Sequence, residues 1–109
     1  MATTYKVLGQ AAPSATTATD VYTVPDATST VVSTIVVCNR GTTAGTYRLS
    51  IRPAGESQVT KHYIAYDTAI AGNDSVTLTI GITLAATDVV TAYCSSGSMS
   101  VNIFGSEIS

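Results

Sequence analysis

The sequence has 109 residues, a formal net charge of −2, and 11% charged residues against 45% hydrophobic ones. This length fits one domain and excludes a second core of normal size. Charge stands at less than half of the roughly 25% usual for soluble domains, and the basic residues are scattered (Lys6, Arg40, Arg48, Arg52, Lys61), which excludes the basic stripe that nucleic-acid binding needs.

No apolar period of 3.6 is sustained, whereas period-two alternation recurs from one end to the other, cut by Gly, Pro, Asn and Asp. The spacing predicts strands over residues 4–9, 20–24, 29–39, 45–52, 59–67, 74–81, 87–95 and 98–104. About eight short strands predict an all-β chain: one antiparallel β-sandwich domain over residues 1–109, jelly-roll-like.

Residues 1–19 read as an N-terminal strand followed by a flexible arm, because residues 10–19 (QAAPSATTAT) hold few large apolar groups. The second strand closes at Val24-Pro25-Asp26. In residues 29–39 strict alternation puts Val31, Ile35 and Val37 on one face and Val32, Val36 and Cys38 on the other. Both faces are apolar, as in a strand that is covered twice or meets another subunit. Over residues 45–52, Tyr47, Leu49 and Ile51 point inward, and Arg48, Ser50 and Arg52 outward. Over residues 74–81 the inward set is Val76, Leu78 and Ile80. Ser96-Gly97 predicts a tight hairpin between the last two strands.

No run of about 18 apolar residues is available to span a bilayer, yet mean hydropathy is +0.30, so surplus apolar surface is expected between subunits. The opening MATTYKVLG lacks the features of a signal peptide, giving the expectation of synthesis in a cytoplasm. Cys38 and Cys94 sit in apolar strand patterns and read as free thiols, and two such ligands are too few for structural zinc. His62 has no partner at ligand spacing, and alternation puts it on a strand face with Thr60, Ile64 and Tyr66. Asp20, Asp26, Asp67, Asp74 and Asp88 lie mostly at expected strand ends, where Asp bonds turn amides. No nucleophile elbow or phosphate loop occurs, so no catalytic, cofactor-binding or metal residue is assigned and the chain reads as a non-enzyme. The tyrosines (Tyr5, Tyr22, Tyr47, Tyr63, Tyr66, Tyr93) suit either interfaces or core edges; a carbohydrate platform is less favoured without Trp.

The segments DVYTVPDATSTVVSTIVVCNR (20–40), TYRLSIRP (46–53), HYIAYDTAI (62–70), LTIGITLAATDVV (78–90) and NIFGSEI (102–108) run over almost the whole chain. Together they resemble small virion structural proteins of tailed bacteriophages. The resemblance implies a virion component; the charge pattern, the lack of a long apolar run and the opening residues add the expectation of synthesis in the host cytoplasm with no membrane or nucleic-acid partner. Small size, the arm and the apolar surplus lean toward capsid decoration, or cement: a homotrimer on the capsid surface, bound to the major capsid protein and stabilising the lattice by mass action. The trimer contact is expected at residues 29–39 or their neighbours and the capsid contact near residues 1–19. The alternatives are a tail, baseplate or fibre protein, or a receptor- or carbohydrate-binding module on the virion.

Overall fold

Val, Ile and Thr dominate the longest strand, and their branched Cβ atoms favour the pleated backbone over the helix. The computed structural model describes residues 2–109; Met1, the first residue of the expected capsid-contact segment 1–19, lies outside the described residues. These residues form β1 (Thr3–Ala11), β2 (Thr19–Thr23), β3 (Ser29–Asn39), β4 (Gly45–Arg52), β5 (Tyr63–Ile70), β6 (Asp74–Leu78), β7 (Ile82–Leu84), β8 (Val89–Cys94) and β9 (Met99–Ile108). Single 3-10 turns lie at Pro53–Gly55 and Thr60–His62.

Two antiparallel sheets result: a five-stranded one in the order β1-β9-β3-β6, with β7 also paired to β3, and a four-stranded one in the order β2-β8-β4-β5. The pairings nest: β4 with β5, β3 with β6 and β7, β2 with β8, and β1 with β9. A long antiparallel ribbon of nested pairs, rolled until β9 meets β3 and β8 meets β4, is a jelly roll.

The core lies where inward positions of the two sheets meet. Val32, Ile35, Val37, Met99, Val101 and Ile103 come from the larger sheet, and Tyr47, Leu49, Val90, Ala92 and Cys94 from the smaller. Burying a side chain of Val, Leu or Ile size stabilises by about 1.5–3 kcal/mol before entropy is counted. Tyr22 crosses between the sheets: its hydroxyl donates to Glu107 Oε2 at 2.6 Å, and Thr30 donates to it at 2.8 Å. Burial, and next the Glu107 carboxylate, push the Tyr22 phenol up to about 12. Glu107 is held below the ordinary carboxylate range by Tyr22 and then by Lys6, whose Nζ lies 3.0 Å away.

Several sequence expectations are corrected by this geometry. The register of β3 on β9 shifts between Val32 and Thr34, so Ser33 is an extra residue, its hydroxyl donating to the Phe104 carbonyl at 3.2 Å. A bulge of this kind exchanges the two faces of a strand. Thr30 and Val32 therefore point inward before it, Ile35, Val37 and Asn39 after it, and Val31 does not share a face with Ile35. The predicted strand 74–81 stops at Leu78; Ile80 is 52% exposed, and the chain resumes as β7 after Gly81 at φ +58°. That break lies opposite the Ser33 bulge, since Leu78 pairs with Ile35 and Ile82 with Val32. The predicted strand 59–67 begins instead at Tyr63 and continues to Ile70.

Ser96-Gly97 closes no hairpin, because β8 and β9 belong to different sheets. The expected arm is tied down over its described residues. Gln10 and Ala11 continue β1 against Asn102 and Val101, Pro13 is buried, and the Thr16 amide donates to the Cys94 carbonyl at 2.8 Å.

Candidate interaction surfaces

Residues directly opposite in a ladder share a face, so the pairings define the outer surface of each sheet. On the five-stranded sheet, Tyr5 lies opposite Ser106, which lies opposite Val31; Val7 lies opposite Phe104, and Phe104 opposite Thr34. Thr3 and Ser29 flank Ile108 on the same face. Tyr5 is 84% exposed, and Val7 and Val31 also reach solvent. None of these nine residues is charged. The nearest ion pair, Lys6 with Glu107, lies on the opposite side of the sheet.

Gly105 shapes this face. A Cβ there would collide with the Val31 carbonyl oxygen and press on Val32 Cα and Leu8 Cδ1, so only glycine lets β9 pass between the two bulged neighbours. Bulges on both sides, at Leu8 and Ser33, bend the sheet at this point.

The outer face of the four-stranded sheet is polar and aromatic. Arg48 lies opposite Tyr93, and its guanidinium stacks 4.4 Å from the Tyr93 ring centroid and 4.2 Å from that of Tyr66. Asp67 receives it on both oxygens, at 2.6 and 3.3 Å, and this bond holds the Asp67 carboxyl below its ordinary value. Asp67 is not at a strand end as expected. The β4–β5 register jumps from Tyr47–Thr68 to Leu49–Ala65, and Tyr66 and Asp67 bulge outward, Asp67 at φ +48°. A left-handed non-glycine residue costs about 1–2 kcal/mol, and here the Arg48 clamp holds it. Beside this pair, Arg52 binds Asp20 at 2.8 Å, Thr91 Oγ1 at 3.1 Å, and the carbonyls of Gly55 and Glu56.

An open groove of about 420 Å³ adjoins this face, lined by Gln58, Val59, Thr60, Tyr63 and Tyr66. Tyr63 and Tyr66 meet edge to face with centroids 4.8 Å apart, and Tyr66 is 56% exposed. The groove wall is stapled from below by His62, which lies buried in a 3-10 turn rather than on a strand face. Its Nδ1 accepts the Val59 N–H at 3.2 Å, which fixes the proton on Nε2, the atom that donates to Glu56 at 3.2 Å. Gln58 completes the staple by accepting from Ser50 at 2.6 Å.

Two more of the aspartates singled out from sequence hold backbone amides. Asp88 accepts from the Ala54 and Ala85 amides, and Asp74 from the Ser75 amide. Cys38 and Cys94 are free thiols; Cys94 is buried in the core, which pushes its thiol up, while Cys38 is half-buried on the outer face of β3. Of the tyrosines, Tyr22 and Tyr47 are buried, whereas Tyr5, Tyr63, Tyr66 and Tyr93 lie on the outer faces. Among the described residues no group of three or more His, Cys, Asp or Glu side chains converges on a metal position, and no helix is long and apolar enough to cross a membrane. The class the fold defines is an antiparallel jelly-roll β-sandwich. Comparison with family models, curated proteins and solved structures finds no match to this chain.

Proposed function

We propose that this chain is a non-enzymatic structural protein of a tailed-phage virion, a capsid decoration protein that binds the capsid as an oligomer. The observation that carries the reading is the uncharged outer face of the five-stranded sheet, where Tyr5, Val7 and Val31 stand exposed beside Phe104 and Ile108. Exposed apolar area of this kind is stabilised by a partner surface. The sequence resemblance described above supplies the virion context. In this reading the three-fold association expected near β3 uses Val31 and its neighbours, and the assembled lattice is stabilised because only the assembled state is bound.

Sedimenting expanded capsids with the purified protein and counting bound copies tests it. Saturable binding matched to the lattice three-folds, lost in Val31→Asp, is the expected result. Failure to bind capsids at any concentration overturns it.

A second reading is favoured by a specific feature, the tyrosine-lined groove at Tyr63 and Tyr66. Rings beside unengaged phenol hydroxyls suit a saccharide, with CH faces on the rings and sugar hydroxyls on the phenols. Binding to host cells instead of capsids, lost in Tyr66→Ala, would select that reading.

A further inference from the structure

The amide and carbonyl of Ala2 exchange hydrogen bonds with Ser109, at 2.7 and 2.9 Å. Antiparallel pairs alternate between bonded and non-bonded, so Thr4 and Lys6 also turn their backbone groups toward β9, opposite Glu107 and Gly105. Thr3, Tyr5 and Val7 consequently turn theirs outward, to an open edge, since β1 ends its sheet. Among the described residues, no other strand pairs with this edge.

The other sheet margins are interrupted. β2 shifts register between Asp20 and Tyr22, β5 bulges at Tyr66 and Asp67, and the β6–β7 margin is broken between Leu78 and Ile82. Such irregularities prevent further pairing. Residues 3–7 of β1 carry none. Edges are also commonly defended by a lysine, but the one here, Lys6, is bound to Glu107 of its own sheet.

We propose that a second copy of this chain pairs antiparallel with β1 across residues 3–7, about a two-fold axis through Tyr5, joining two large sheets into one. In that register Tyr5 faces its own copy, and Thr3 faces Val7. These are the residues whose backbone groups point outward, so all three become bonded pairs. The side chains are self-complementary: an aromatic pair at the axis with Thr–Val pairs beside it. Lys6 falls opposite Thr4, which keeps like charges from facing each other. The inference rests on the backbone edge of β1, although Tyr5 and Val7 also belong to the face that carries the virion reading; combined with a three-fold at β3, this two-fold requires an even-numbered assembly of trimers.

Light scattering coupled to size-exclusion chromatography over a concentration series tests it. The expected mass is an even multiple of the 11.2 kDa chain. Tyr5→Lys, which sets two lysines against each other at an exposed position, should halve the subunit number with an unchanged circular dichroism spectrum. Tyr66→Lys, on the other sheet, should leave it intact. In a Cys38→Ser background, Tyr5→Cys should cross-link to a covalent dimer under mild oxidation, because bonded antiparallel pairs hold their Cα atoms about 5.5 Å apart, within disulfide reach. A monomer at all concentrations, an odd-numbered assembly, or a Tyr5→Lys protein of unchanged mass overturns the proposal, whatever the outcome with capsids.

Discussion

The outer faces of the two sheets handle their polarity in opposite ways. On the four-stranded sheet the two arginines are already satisfied from within: Arg48 by Asp67 and two tyrosine rings, Arg52 by Asp20, Thr91 and two carbonyls. The five-stranded sheet removes charge from its outer face around Tyr5 and Val31 and keeps Lys6 and Glu107 on its other side. One face is therefore complete without a partner, apart from its groove. The other leaves apolar area and a strand edge that only a partner can cover.

The most damaging way to break this contrast is Gly105→Val. Its side chain would meet the Val31 backbone, and an expected loss of about 3 kcal/mol should appear as a lower urea midpoint with unchanged slope. An unchanged midpoint would remove the glycine from any role in bending the neutral face. Next in size is Tyr22→Phe, which deletes the hydroxyl joining the sheets and should cost about 1–2 kcal/mol. Because the folded phenol is raised to about 12 from 10.0, the unfolded chain ionises first. Its stabilising effect is present below pH 10 and is lost as pH rises toward about 12, a limb that melting curves of the Phe variant should lack.

A smaller effect is expected from Arg48→Ala. Asp67 is held below its ordinary value of 3.8 by Arg48, so its contribution is present above that pH and lost as pH falls through the folded value. The acid limb of thermal stability should shrink in the variant and weaken with added salt in the parent. Smallest is Tyr66→Ala, expected within about 0.5 kcal/mol of the parent. A larger loss would show that the aromatic face is braced as one unit.

The sheet content was legible because it rests on alternation. β3 and β4 have the predicted bounds, 29–39 and 45–52, and Tyr47 and Leu49 point inward as their spacing requires. What alternation does not carry is a change of phase. The inserted Ser33 reverses the faces of β3, and the only trace in sequence is the polar Ser33-Thr34 pair inside an apolar run. β7 was hidden because Thr79, Ile80 and Gly81 continue a strand-like pattern through a turn. The pairing of Arg48 with Asp67 joins residues 19 apart through a bulge, and His62 is buried by a loop whose turn has no Gly or Pro of its own. Both are products of register and packing, which a single strand's spacing does not encode.

The position of β9 also bears on how such a chain comes into being. Of the nine strands among the described residues, β9 leaves a ribosome after the other eight, yet it is an inner one, lying between β1 and β3, which have no ladder with each other. Until it emerges, β1 and β3 lack the neighbour that lies between them, and the contacts of highest sequence separation in the domain wait for it. High sequence separation of this kind slows closure and lengthens exposure of unpaired edges. Emergence of β9 thus becomes the step that commits this domain, since without it nothing joins β1 to β3.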